Sequence, residues 1–468
     1  MISISGKKWK EKKVNLNLVN KIQQDKNFSK LVSHLIVSRN FDLNEIHLIK
    51  NELDLKNIFE NNLDFIKSVK LLQKSINNKE NVCILGDYDV DGSAATSLFV
   101  RLFESLKHPY FYYIPDREKD GYGASKKLFE KLILKKPDLV IMVDCGSTSN
   151  EAIDYLNKNK VKSIIIDHHE INKPYPKANI IINPKKNNGY LKYDYLCATA
   201  LTYFFIDILV KKIKAKINLR QYLIYVLLAT VCDVMPLRKL NRLISITALK
   251  EFNINDNYAF KELLRLSNKK KAITINDLGY LIGPILNAGG RLGKSSYATE
   301  LLSSKDTEII NQKSLELTNL NTKRKKIESL ILNDINFDKL MTDSKGLIIY
   351  YSPNINEGLI GIIASKLKDF FNRPSIVITN SKNFLKGSAR STVHYKIGQT
   401  IKTLLDKNIL LNGGGHNMAA GFTLKKDNLL LFKKFINKDY LKKNSFSEFF
   451  FYYDSEVSAI VFNKEFYN

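Results

Sequence analysis

The sequence predicts an α/β protein: a parallel-sheet domain joined by a long helix to a smaller α/β domain. Three observations carry this. Between Val82 and Ile182, short apolar runs alternate with segments of helical apolar spacing, the pattern of parallel strands covered by helices. From about Leu301 to Leu332 the chain is polar, lysine-rich and long enough for one extended helix. A second strand–helix–strand alternation begins at Leu347. With 468 residues, two or three domains are expected, and 44% hydrophobic residues can fill their cores.

Taken in order, residues 1–76 read as a helical lead-in. Phe28 to Val37 and Leu63 to Ile76 have helical periodicity, and the only tryptophan, Trp9, stands near the start. The first α/β domain is expected over 77–255. Its predicted strands are Val82 to Leu85, Tyr110 to Ile114, Leu139 to Val143, Lys162 to Ile166 and Ala178 to Ile182. Predicted helices fall at Ser93 to Lys107, Ser125 to Leu134 and near Glu151 to Asn157, with more through about residue 255. A helical connector spans 256–343. Its lysine-rich part (Lys305, Lys313, Lys323, Arg324, Lys325, Lys326) reads mainly as a solvated linker helix, whose basic face could also line a strand channel. The second α/β unit, 344–437, holds predicted strands at Leu347 to Tyr350 and Ser375 to Ile378 around a helix at Ile360 to Phe371. A tail, 438–468, includes Phe449-Phe450-Phe451-Tyr452-Tyr453.

Composition narrows the classes. The formal net charge is +26. A chain simply rich in Lys, Asn and Ile would be basic everywhere; a polyanion partner is the functional alternative, since lysines that displace counterions bind nucleic acid without regard to sequence. No apolar run is long enough to span a bilayer, and the polar, basic stretch from Met1 to Lys13 has no apolar segment of a secretory signal. Cys83, Cys145, Cys197 and Cys232 lie far apart without metal-binding or disulfide spacing, so buried reduced thiols in a cytoplasmic protein are expected.

The stretch Gly86-Asp87-Tyr88-Asp89-Val90-Asp91-Gly92 ends the first predicted strand with three crowded carboxylates. Such acids repel one another unless cations neutralise them, and hard oxygen ligands suit Mg²⁺ or Mn²⁺. By itself the loop could equally be a solvated acidic turn. The other strand ends decide it. Asp144 follows Val143 and Asp167-His168-His169 follows Ile166, while Asp233 follows an apolar helix predicted from Tyr222 to Val231. Ligands of parallel sheets gather at carboxyl ends of strands, so these acids can converge on one rim. Two histidines after a strand-end aspartate allow one ring to bind metal while the next faces substrate, and mixed carboxylate and imidazole donors lean toward Mn²⁺.

Asp87 to Gly92, Val143-Asp144-Cys145-Gly146, Asp167-His168-His169 and Asp233-Val234-Met235-Pro236 together resemble the four motifs of the DHH phosphoesterase superfamily. Pro284 to Gly293, Gly358 to Leu367, Gly387-Ser388-Ala389-Arg390-Ser391 and Gly413-Gly414-Gly415-His416 extend the resemblance to its single-strand-specific exonucleases, over roughly residues 80–423. It implies a DHH domain holding two divalent ions and a smaller DHHA1 domain closing over the DNA backbone. By matching position, Asp89, Asp91, Asp144, His168 and Asp233 would be ligands, Asp87 a further one, and Asp144 the bridge. His169 would face the scissile phosphate, with Asp167 orienting the histidines.

Gly413 to His416 allows close approach of backbone amides to an anion; alone it would be a flexible turn, but beside Gly387 to Ser391 it looks like a phosphate cradle. The resemblance makes Asn287, Arg291, Ser388, Arg390, Ser391, Gly414, Gly415 and His416 the nucleic-acid-binding candidates, and leaves Lys366 equally an ordinary surface residue. Two departures stand out. Ile355-Asn356 occupies the place where relatives often carry Trp-His, and the tail is too short for a five-stranded OB barrel, so that module is expected to be absent. The activity implied is 5′→3′ degradation of single-stranded DNA in repair and recombination, by a monomer working beside a single-strand-binding protein and a helicase. The alternatives are a phosphodiesterase on short oligonucleotides or small phosphate esters, and a non-catalytic scaffold, against which retention of the acids argues.

Overall fold

A computed structural model describes residues 1–4, 6, 8–42, 45–49, 55–116, 120, 123–186, 191–269, 272–344, 346–443 and 450–459. Phe449 and the last part of the expected tail, 460–468, lie outside them. The chain forms two compact units, Met1–Leu53 with Lys438–Asn468, and Asp54–Asn437.

In the first unit, helices Leu16–Lys26 and Lys30–Ser38 start at Asn15 and Ser29, whose side chains accept from backbone amides of the first turn. They close over Ile22, Ile36 and Ile46. A short strand, β1 (Trp9–Glu11), pairs in parallel with Phe451–Tyr453, and the Trp9 and Phe451 rings lie 5.4 Å apart. The tail therefore folds back to the start of the chain, which local sequence patterns do not reveal. The expected lead-in is divided: helix Leu63–Asn77 belongs to the second unit, with Phe65, Val69 and Leu72 in its main core.

That core is built on a five-stranded parallel sheet of β2 (Val82–Leu85), β3 (Tyr110–Tyr113), β4 (Leu139–Val143), β5 (Lys162–Ile166) and β6 (Ile180–Ile182), in the order β3-β2-β4-β5-β6. The runs are apolar throughout because both faces are covered. Ile84, Ile141, Val143, Ile164 and Ile166 face helices Val90–Leu106, Ala198–Ile213 and Leu223–Cys232. Their neighbours Cys83, Leu85, Val140, Met142 and Ile165 face helices Lys126–Leu132 and Asn150–Lys158.

Much of the expected connector is core of this same domain. Phe260, Leu263, Ile285, Leu286, Leu301 and Leu302, on helices Tyr258–Leu266, Gly283–Arg291 and Tyr297–Ser303, all join the main cluster. The expected long helix is interrupted after Ser303. It restarts as Thr307–Asn333, because Asp306 caps the amides of Glu308 and Ile309. At about 1.5 Å per residue this helix is some 40 Å long. Ile310 and Leu317 pack on the first core, and Ile327, Ile331 and Leu332 on the core of the second domain. Arg324 is buried and paired with Glu328 at 2.7 Å, so it does not belong to an exposed basic face.

The second domain carries a mixed sheet of β7 (Ile348–Tyr351), β8 (Ser375–Ser381), β9 (Phe384–Arg390), β10 (Asn412–Gly415) and β11 (Ala419–Leu424), ordered β10-β11-β9-β8-β7. Only β7 and β8 run parallel. Gly387 to Arg390 lies on β9, and the triple glycine, which taken alone reads as a flexible turn, forms the edge strand β10.

Candidate metal centre

The acidic loop joins β2 to helix Val90–Leu106. Asp89 caps that helix, accepting from the Gly92 amide at 3.1 Å, and Asp87 accepts from the Tyr88 amide at 2.8 Å. Only glycine fits at position 92, since a Cβ there would lie 2.5 Å from the Asp87 nitrogen. Asp91 is buried in the helix's first turn, where its two oxygens accept from the amides of Ala198 and Thr199, each at 2.7 Å. Those amides open helix Ala198–Ile213, an end that favours negative charge.

Asp144 leaves β4 in a left-handed conformation, φ +59, which a short polar side chain tolerates better than a branched one. It is 1% exposed, and neither carboxylate oxygen has a hydrogen-bond partner. Beyond β5, Asp167 is fully engaged. It accepts from the amides of Ser147, His168 and His169 and holds His169 Nδ1 at 2.8 Å. His168 Nε2 stands 3.3 Å from Asp144 Oδ1, 3.4 Å from Asp233 Oδ2 and 3.6 Å from Asp91 Oδ2. Asp233 ends helix Leu223–Cys232, and the next residue, Val234, is left-handed at φ +55. A β-branched residue there is strained, and it sits directly beside a side chain of the cluster.

Donor atoms thus gather in three overlapping groups: Asp144, His168 and His169; Asp91, His168 and Asp233; Asp87, Asp89 and Asp144. Within each, the atoms lie no more than 4.8 Å apart. The electrostatics follow from crowding. Burial, then Asp91, Asp89 and Asp87, push Asp144 well above the ordinary carboxylate range. Burial with Asp91 and Asp89 pushes Asp233 up to about 8. Asp167 goes the other way: burial opposes its charge, but the bond and charge of His169 and the charge of His168 hold it far below the usual range. Burial likewise opposes charge on His169, yet Asp167, Asp89 and Asp87 raise it to about 9. An unsatisfied buried carboxylate among other acids is costly without a cation, and five carboxylates with imidazole fit a hard divalent ion such as Mn²⁺ or Mg²⁺.

The nucleic-acid candidates are less closely gathered. Asn287 and Arg291 lie on helix Gly283–Arg291, which packs against the acidic loop: a Cβ on Gly290 would meet the Tyr88 ring at 2.6 Å. Arg291 Nη1 donates to the Gly358 carbonyl at 3.2 Å, tying the two domains of this unit. On β9, Arg390 Nη1 donates to Ser388 Oγ at 3.1 Å, and among the described residues no carboxylate pairs with Arg390. Ser391 does not join them; it is buried, and its hydroxyl is given to the Tyr395 carbonyl. Gly414, Gly415 and His416 are exposed, and His416 Nδ1 lies 3.7 Å from Glu170 Oε1, one residue beyond His169. Two parts of the centre escape motif reading. One is the pair of amides at Ala198 and Thr199. The other is Asn183, at the end of β6, which donates to Ser147 Oγ and the His169 carbonyl. Its place at a strand end is the one signal that could have found it.

Known proteins share this arrangement of domains. The DHH family, N-terminal domain, matches residues 81–230, and the DHHA1 domain matches 344–442. The single-stranded-DNA-specific exonuclease RecJ of Bacillus subtilis (strain 168) is 29% identical over 439 residues, 91% of this chain and 54% of that protein. The chain therefore spans about half the length of this relative. A RecJ structure from Thermus thermophilus in complex with Mn²⁺ superposes with a TM-score of 0.80 at 20% identity, covering 95% of this chain and 64% of that one. An exonuclease RecJ bound to manganese gives 0.68 at 25% identity, covering 83% and 96%. With both domains matched in this order over an acid cluster at the strand ends, the chain belongs to the DHH/DHHA1 phosphoesterase superfamily.

Proposed function

We propose that the chain is a metal-dependent phosphodiesterase that degrades single-stranded DNA as a 5′→3′ exonuclease in repair and recombination. The observation that carries this is Asp144, a buried carboxylate with both oxygens unsatisfied amid Asp87, Asp89, Asp91, His168 and Asp233. These six side chains would hold two divalent ions, Mn²⁺ or Mg²⁺. When bound, such a pair activates water and offsets charge on the attacking and leaving oxygens. The substrate class follows from relatives named as single-stranded-DNA-specific exonucleases and from a net charge of +26.

The chain's own groups bind and orient. With Nδ1 committed to Asp167, His169 has only Nε2 to offer a phosphate oxygen. Arg390 and Ser388 on β9, with Arg291, Asn287, His416 and the amides of Gly414 and Gly415, would hold the backbone of the strand. Acting as a cytoplasmic monomer, the protein would take strands exposed by a helicase or covered by a single-strand-binding protein; no described helix is long and apolar enough to cross a membrane. Incubation of the full chain with Mn²⁺ and single strands labelled at either end tests this. Early release of the 5′ label and none after chelation is expected; release from the 3′ end alone would overturn the polarity.

A further inference from the structure

We propose that Lys185 and His416 form a phosphate-binding subsite at the mouth of the metal centre, and that Glu170 fills it in the free protein in place of a substrate phosphate. This deepens the nuclease reading and rests on it for the substrate class.

A single oxygen, Glu170 Oε1, lies 3.0 Å from Lys185 Nζ and 3.7 Å from His416 Nδ1. Lys185 follows β6 of the first domain and His416 follows β10 of the second, so the carboxylate sits between an ammonium from one and an imidazole from the other. Lys185 is built into the centre. Its amide donates to Asn183 Oδ1 at 2.8 Å, and the same Asn183 side chain donates to the His169 carbonyl at 2.9 Å and to Ser147 Oγ at 2.8 Å. The Lys185 side chain is only 20% exposed, low for a lysine.

Glu170 is held differently. Its side chain is 58% exposed, and an ion pair open to solvent is weak and readily exchanged. A phosphodiester carries the same single negative charge and offers two oxygens, so exchanging it for Glu170 leaves the charge of the subsite unchanged while a strand gains the donors. A purely structural salt bridge would make loss of Glu170 neutral or harmful. A placeholder makes its loss favourable to binding.

The test is equilibrium binding of a fluorescent single-stranded oligonucleotide by the full chain in Ca²⁺, read by anisotropy over a salt series. Lys185→Met is expected to weaken binding about tenfold, as for one lost contact of about 1.4 kcal/mol. It should also reduce the slope of log affinity against log salt by about 0.7, one single-strand phosphate. Lys185→Arg should restore the slope. Glu170→Gln should tighten binding about threefold, and should give no gain in a Lys185→Met background. A wild-type slope in Lys185→Met, weaker binding in Glu170→Gln, or no salt-dependent binding by the wild type would each overturn the subsite. Digestion in Mn²⁺ by the wild-type chain decides the nuclease reading separately.

Discussion

Asp144 gathers the chemistry into one side chain. It is buried, neither oxygen has a hydrogen-bond partner, and three other aspartates raise the cost of its charge. Replacing it with asparagine removes the cost of holding a carboxyl buried among other acids, so the metal-free variant should melt at or above the wild-type temperature. Saturating Mn²⁺ should raise the wild-type Tm and move the variant far less, because a ligand stabilises only the state that binds it. Activity should fall by more than the roughly 100-fold seen when outer partners of a metal site are removed. Asp167→Asn sets that lesser scale: it loosens His169 and should cost about 10- to 100-fold in kcat with little change in Mn²⁺ affinity, read by calorimetry. Val234, strained at φ +55 and largely exposed, gives the opposite sign. Val234→Gly should stabilise the chain by about 1 kcal/mol in a denaturant melt.

At the scale of elements, the acids were legible because each follows an apolar strand or helix, and a strand end is where a parallel sheet presents its ligands. Asp87, Asp89, Asp91 and Asp144 needed no tertiary information beyond that rule, whereas Asp233 ends helix Leu223–Cys232 and joins them through tertiary packing. The amides of Ala198 and Thr199 were not legible, since backbone donors have no sequence signature. Nor was the β-strand form of Gly413 to Gly415: three glycines read as a turn, and only pairing with β11 makes them an edge strand. The pairing of β1 with Phe451–Tyr453 was hidden for the same reason, joining segments more than 400 residues apart in the chain. Asp454 beside it binds Lys12, Ser38 and Arg39. Burial opposes its charge, but the bonds to Arg39, Lys12 and Ser38 hold its pKa far below the ordinary 3.8. The sign follows: a depressed folded pKa gives stability that is full above about pH 4 and lost as pH falls through the acid range. Hydrogen exchange of the amides of Trp9–Glu11 should therefore speed up as pH falls from 5 to 2.5 beyond the intrinsic trend, and Asp454→Asn should abolish that excess. The loss at pH 7 in that variant should be about 1 kcal/mol, as solvent screens the pairs.

For the molecule as a whole, the α/β class and the two alternating regions were plain from periodicity, while the division of labour between them was not. The expected connector looked polar because its exposed faces are polar. Its buried faces, from Phe260 to Leu317, complete the core of the sheet domain. One helix, Thr307–Asn333, then packs on both cores, so the domain that carries Arg390 is borne by the domain that carries Asp144. The net charge of +26 belongs to this scale too, since it acts through the whole surface. Binding of single strands should weaken steeply with salt, and the single variant Arg390→Ala should remove about one phosphate's share of that slope. The central claim, a pair of divalent ions bridged by Asp144, is tested most directly by anomalous diffraction from crystals of the chain soaked in Mn²⁺. Two peaks about 3.5–4 Å apart, with Asp144 between them and Asp91, His168 and Asp233 around one, are expected. Absence of any peak at these side chains, with the Asp144 carboxylate turned to another partner, would contradict it.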